Sequence, residues 1–73
     1  MGTGGNTTYK TGKATVNVNT SLTIRKEAST EAESVGSYKN GDVVDVLELN
    51  GEWGKVQYET GKYGWINLQY VKY

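Results

Sequence analysis

Turn signals divide this 73-residue chain into segments that are too short for ordinary helices. One recurs about every 6–12 residues, and Asn40-Gly41 and Asn50-Gly51 are the strongest because both residue types tolerate the positive φ of tight turns. No segment has a convincing apolar period of 3.6 residues, whereas several short ones alternate apolar and polar residues. The pattern therefore predicts an all-β domain.

The alternation also predicts where the strands lie. Strands are expected over residues 14–18, 22–25, 42–49, 53–58, 63–66 and 71–73, with a further apolar restart at Val35. The polar segment KEASTEAES, residues 26–34, is predicted to be a surface loop, and residues 68–70 a single tight turn. The result is a small barrel of about five to seven short antiparallel strands, because closure removes sheet edges that so small a domain could hardly cover.

The first 13 residues do not share this pattern. They are mostly Gly, Thr, Asn and Lys, which is typical of a flexible arm or linker. We therefore expect an arm over residues 1–13 and one folded domain over residues 14–73. The Met-Gly opening leads us to expect that the chain is a module of a longer protein.

The composition excludes several classes of function. The chain has no cysteine and no histidine, so it lacks disulfides, thiolate ligands and the commonest general base and metal ligand. Pairs such as Asp42/Asp45 and Glu31/Glu33 lie in turns or a polar loop, where solvated surface is the better interpretation than acid–base chemistry. We predict no catalytic residue, no metal site and no cofactor.

The charges argue against two classes of partner and leave one question open. A formal net charge of zero disfavours nucleic-acid binding, and no apolar run approaches the roughly 18 residues of a membrane span. Most acidic residues fall between positions 27 and 52. They form either a solvated surface of mixed sign or an acidic rim that prefers cationic or amine-bearing ligands.

Both tryptophans stand beside a glycine, and strand alternation separates each pair. Val56 should point inward, so it shares a face with Gly54 and not with Trp53. The same argument on the next strand turns Gly64 inward and Trp65 outward. The glycines are then expected in the crowded interior, where strands approach closely, and each tryptophan is either hydrophobic cover or part of a binding surface.

From residue 14 to residue 73 the chain resembles the bacterial SH3-like domain, often called SH3b. The resemblance is carried, in chain order, by SLTIR (21–25), GSYKNG (36–41), VDVL (44–47), GEWGKVQY (51–58), GKYGWI (61–66) and Tyr70-Val71. Each segment is weak alone, but their order and spacing together are fairly specific.

This resemblance implies an SH3-like barrel with a role at the bacterial cell wall. Such domains commonly accompany amidase, endopeptidase or glucosaminidase domains in exported wall hydrolases, including autolysins, and hold them on peptidoglycan. It implies a non-catalytic module of a secreted Gram-positive protein at the cell wall or cell surface. The expected partner is a peptidoglycan stem or cross-bridge peptide, and the isolated domain is expected to be a monomer. The alternative is a protein or peptide interaction module of a larger surface or signalling protein.

The candidate binding residues come from alternation and from resemblance together. The tail GWINLQYV (64–71) is similar to the G-x-I-P-S-N-Y-V ending of eukaryotic SH3 domains, whose groove grips extended peptides. That similarity gives Trp53, Tyr70 and Asn67 the places of the groove tryptophan, tyrosine and proline. We predict a shallow aromatic groove centred on Trp53 and Tyr70, with Asn67 and Tyr38 on its walls and Glu52 at its rim.

Overall fold

The computed structural model describes residues 9–73 and shows an all-β fold of eight short strands. The strands are β1 (Gly12–Val16), β2 (Ser21–Arg25), β3 (Ser34–Lys39), β4 (Val43–Val46), β5 (Glu48–Asn50), β6 (Trp53–Glu59), β7 (Lys62–Asn67) and β8 (Val71–Lys72). They form two antiparallel sheets with the orders β4-β1-β8 and β3-β2-β7-β6-β5. The fold class predicted from the sequence, a small all-β domain of the SH3-like type, is confirmed.

The core lies between the two sheets. The buried apolar side chains among the described residues are Ala14, Val16, Leu22, Ile24, Val44, Val46, Val56, Ile66 and Leu68. Val56 and Ile66 are 1% and 0% exposed, so both predicted inward positions are confirmed. The polar segment after β2 is a surface loop, and Leu68–Tyr70 form one turn of 3-10 helix before β8, both as predicted.

The single strand predicted over residues 42–49 is two strands in the structure, which corrects that prediction. β4 pairs with β1, whereas β5 pairs with β6 in the other sheet. The change of sheet occurs at Leu47, whose N–H donates to the carbonyl oxygen of Lys55 at 2.7 Å. The split raises the strand number to eight, above the predicted range of five to seven.

The first strand extends across the predicted boundary between residues 13 and 14. β1 starts at Gly12, which pairs with Val46, and the ring of Tyr9 packs against the core. Backbone pairing needs no apolar side chain, so Gly12 and Lys13 extend the strand without an apolar signal. The rest of the predicted arm, residues 1–8, lies outside the described residues.

Two glycines, Gly54 and Gly64, face the interior, as predicted. Packed neighbours occupy the space that a side chain at either position would need. A Cβ on Gly64 would lie 2.5 Å from Cγ2 of Ile24 and 2.9 Å from the backbone oxygen of Arg25. A Cβ on Gly54 would lie 2.7 Å from Cδ2 of Leu68. These close approaches let β6 and β7 pack directly on the core and leave the tryptophans on the outer face.

Between residues 9 and 73 no helix is both long and apolar enough to cross a membrane. Over the same residues, no group of three or more His, Cys, Asp or Glu side chains is placed to hold a metal ion.

Candidate functional site

A groove of about 530 Å³ lies where the β1–β2 loop, the outer side of β2 and the Leu68–Tyr70 turn meet. The residues that line it are Asn17, Val18, Asn19, Thr20, Ser21, Leu22, Thr23, Arg25, Thr30, Trp53, Asn67 and Tyr70. It is an open, mixed surface of aromatic, amide and hydroxyl groups.

Three of the five residues predicted for the site, Trp53, Asn67 and Tyr70, line this one groove. Trp53 opens β6 and is paired with Asn67 at the end of β7. Tyr70 follows three positions later in the 3-10 turn and is 48% exposed. The two rings therefore lie at one surface while the core residues of the same elements point inward.

The turn that carries Tyr70 is held at several points. The Asn67 side-chain oxygen accepts from the Gln69 N–H at 2.9 Å and caps the turn. The Leu68 N–H donates to the backbone oxygen of Glu52 at 2.7 Å, and the Leu68 side chain is buried. The Gln69 side-chain amide donates to the Glu52 carboxylate at 2.9 Å. These bonds tie the turn to the start of β6, beside Trp53.

The other two predicted site residues, Glu52 and Tyr38, do not line the groove. The carboxylate of Glu52 is engaged by Gln69, so Glu52 supports the turn. Tyr38 lies on β3 opposite Leu22, and its ring packs against the core. Its burial, with a smaller contribution from the negative charge of Asp42, raises the pKa of Tyr38 above its ordinary value.

The sequence prediction missed the wall of the groove formed by the β1–β2 loop and β2. This wall carries three hydroxyl groups, from Thr20, Ser21 and Thr23, together with two asparagines, Asn17 and Asn19. The signal was available in part, because alternation on β2 turns its polar residues away from the core. The loop itself meets Tyr70 through the Asn17 N–H, which donates to the Tyr70 backbone oxygen at 2.8 Å.

The electrostatics of the groove differ from the acidic rim that the charge pattern left open. None of the acidic side chains among the described residues lines it, and Arg25 is the charged residue that does. Arg25 is half-buried, and its Nη1 donates to the backbone oxygen of Ala32 at 3.0 Å. The lining of the groove therefore carries one charged group, the Arg25 guanidinium.

This arrangement is suited to non-covalent recognition of an extended chain. The amide side chains of Asn17 and Asn19 offer both donors and acceptors, as a peptide backbone does, and Asn67, whose oxygen caps the turn, offers its amide N–H donors. The rings of Trp53 and Tyr70 offer flat apolar area with a polar edge. A peptide can pack on the rings while its backbone bonds to the amides.

Comparison with known proteins places these features in a family. The sequence profile of the bacterial SH3 domain matches residues 20–72, from the end of the β1–β2 loop through β8. The chain is also 30% identical, over 63 residues or 86% of its length, to bacteriocin BCN5 of Clostridium perfringens. It spans about 7% of the length of that relative. Because the profile match covers more than half of the chain, including β2 to β8 and the groove turn, the chain belongs to the bacterial SH3 domain family.

Proposed function

We propose that this domain is a non-catalytic module that binds peptidoglycan peptides of the Gram-positive cell wall. Its role is to hold an attached cell-wall hydrolase, an amidase or an endopeptidase, on its substrate at the cell wall or cell surface. The observation that carries the proposal is the outward pair Trp53 and Tyr70 beside amide side chains in one groove of a bacterial SH3 domain. The partner is a stem or cross-bridge peptide.

The similarity to bacteriocin BCN5 supports a place of action at the bacterial surface. A bacteriocin is a protein directed at bacterial cells, and the similarity to bacteriocin BCN5 favours the bacterial envelope as the place of action. The chain corresponds to a small part of that protein, which is the relation expected of a module attached to other domains.

The shape of the groove sets the expected strength of binding. An open groove of this kind should bind a peptide with a Kd of about 10–1000 μM, or about −4 to −7 kcal/mol. Weak binding suits a polymer that offers many repeated sites, because avidity raises retention when modules occur in tandem or beside another binding domain.

Two tyrosines provide a matched test of the groove. Tyr70 and Tyr63 are both 48% exposed, but only Tyr70 is among the groove residues. Tyr70→Ala should reduce co-sedimentation with purified Gram-positive cell walls about tenfold, the effect of losing about 1.4 kcal/mol at one contact. Tyr63→Ala should leave co-sedimentation unchanged. Thermal melts of both variants control for folding.

The possible results separate the alternatives. Equal retention of Tyr70→Ala and Tyr63→Ala would show that the groove is not the wall-binding site. No retention of the unaltered chain would overturn the wall-binding function and make a peptide interaction module of a larger surface or signalling protein the better hypothesis.

A further inference from the structure

Arg25, the charged residue of the groove lining, has a position and a set of contacts that suggest a ligand class. Arg25 ends β2 on its outer face, half-buried, with one hydrogen bond from Nη1 to the Ala32 backbone oxygen. A guanidinium group has five N–H donors in a planar fork, so this bond uses a small part of its capacity. Between residues 9 and 73 no carboxylate forms an ion pair with Arg25.

Lys55, on the same sheet as Arg25, is a cation with an acidic partner. Its Nζ lies 3.6 Å from the Glu48 carboxylate and 5.2 Å from the centre of the Tyr63 ring. Lys55 does not line the groove, although it is paired with Trp65, the same residue that pairs with Arg25 on the other side. Arg25 therefore differs from its neighbour in lining the groove and in lacking an acidic partner among the described residues.

The strand register places Arg25 at a useful distance from the aromatic pair. Arg25 on β2 pairs with Trp65 on β7, and Trp53 on β6 pairs with Asn67 on β7. The two groove residues, Arg25 and Trp53, are therefore separated by two strand spacings across the sheet and by two residues along β7. With about 4.8 Å between strands and about 3.3 Å per residue, this separation is on the order of 10 Å. An extended peptide covers it with about three residues.

We propose that the groove takes an extended peptide with a free carboxylate, which pairs with Arg25 while a residue about three positions earlier packs on Trp53 and Tyr70. This inference rests on the proposed function and narrows its ligand to acid-bearing peptides. The planar guanidinium fork matches a carboxylate through two parallel hydrogen bonds. Half-burial strengthens the pairing relative to a fully exposed cation, since the local dielectric is lower.

The test compares two peptides that differ only at the carboxyl end. N-acetyl-tetraalanine as the free acid and as the C-terminal amide are titrated into the 15N-labelled chain, and Kd values come from amide shifts. The acid should bind about tenfold more tightly than the amide. Arg25→Gln should remove this preference, Arg25→Lys should keep part of it, and Lys55→Gln, which removes the same charge outside the groove, should keep all of it.

Several results would overturn the inference. The inference fails if the unaltered chain binds the acid peptide and the amide peptide equally. It also fails if the unaltered chain sediments with walls but binds neither peptide. If Arg25→Gln weakened both peptides equally, Arg25 would only support the loop through Ala32. Stronger competition from inorganic phosphate than from the acid peptide would point to a phosphate polymer. Wall sedimentation reports separately on the proposed function. The wall-binding function can therefore stand even if the carboxylate preference fails.

Discussion

Trp53 and Val56 lie on opposite faces of β6, and a truncation at each should affect a different property. Trp53→Ala should cost less than about 1.5 kcal/mol of stability, because the ring is half-buried at the groove and a core aromatic costs about 3–5. It should weaken wall binding about tenfold. Val56→Ala removes a side chain that is 1% exposed and should cost about 2 kcal/mol.

The two properties are measured on the same preparations, by urea denaturation and by wall sedimentation. Val56→Ala should retain wall binding in the fraction that stays folded. A Trp53→Ala variant that unfolds would place the ring in the core and move the site elsewhere.

Tyr38 has a role in stability that depends on pH. Burial, then the charge of Asp42, raises its pKa above the ordinary value of 10.0. Its contribution to stability is fully present below pH 10, the unfolded value, and is lost as pH rises through the higher folded pKa. Tyr38→Phe should therefore reduce the loss of unfolding free energy above pH 10, as urea denaturation at neutral and alkaline pH would show.

The same variant checks the corrected position of Tyr38. Because this ring does not line the groove, Tyr38→Phe should leave wall retention at neutral pH unchanged. An alkaline loss of stability identical to that of the unaltered chain would contradict the assigned burial effect.

Alternation along single strands predicted the faces of the candidate residues but not their contacts, for a definite reason. It gives the face of a strand residue, so it correctly turned Trp53 outward and Val56 inward. It does not give the partner of a side chain. Glu52 bonds to Gln69, and Tyr38 covers the core, through contacts that depend on distant segments.

At the scale of elements, Gly64 and Gly36 offer a matched pair because both approach Ile24. A Cβ at Gly64 would lie 2.5 Å from Cγ2 of Ile24, whereas one at Gly36 would lie 3.4 Å from its Cδ1. Gly64→Ala should destabilise the domain by about 1–3 kcal/mol through overpacking between β2 and β7. Gly36→Ala should be close to neutral, because space is available and alanine lowers the entropy of the unfolded chain.

Urea denaturation of the two variants measures this difference directly. Equal changes in unfolding free energy would mean that the close approach of β7 to Ile24 is not what requires a glycine at position 64.

The boundary between β4 and β5 shows what an apolar pattern leaves undetermined. Val44 and Val46 are buried, while Leu47 and Leu49 are 46% and 42% exposed. The shift of phase is visible in the sequence, but a bulge within one strand and a change of sheet produce the same shift. The hydrogen-bond partners decide, and here they lie in two different sheets.

For the whole molecule, the barrel was more predictable than the groove. Turn signals and alternation are local, so they fix an all-β fold with short strands. The groove joins the β1–β2 loop to the Leu68–Tyr70 turn, where the Asn17 N–H donates to the Tyr70 backbone oxygen at 2.8 Å. Such a contact between segments far apart in the sequence has no local signal, and only the family resemblance brought Trp53 and Tyr70 together in advance.

The measurement that tests the central claim most directly is a titration of the 15N-labelled chain with a soluble peptidoglycan fragment that contains its peptide. The groove predicts shift changes at the Trp53 indole N–H and at the amides of residues 17–25 and 67–70. The exposed apolar residues Val43, Leu47 and Leu49, none of which lines the groove, should show none. Changes centred on those three residues, with the Trp53 indole unaffected, would contradict the assignment of the groove as the binding site.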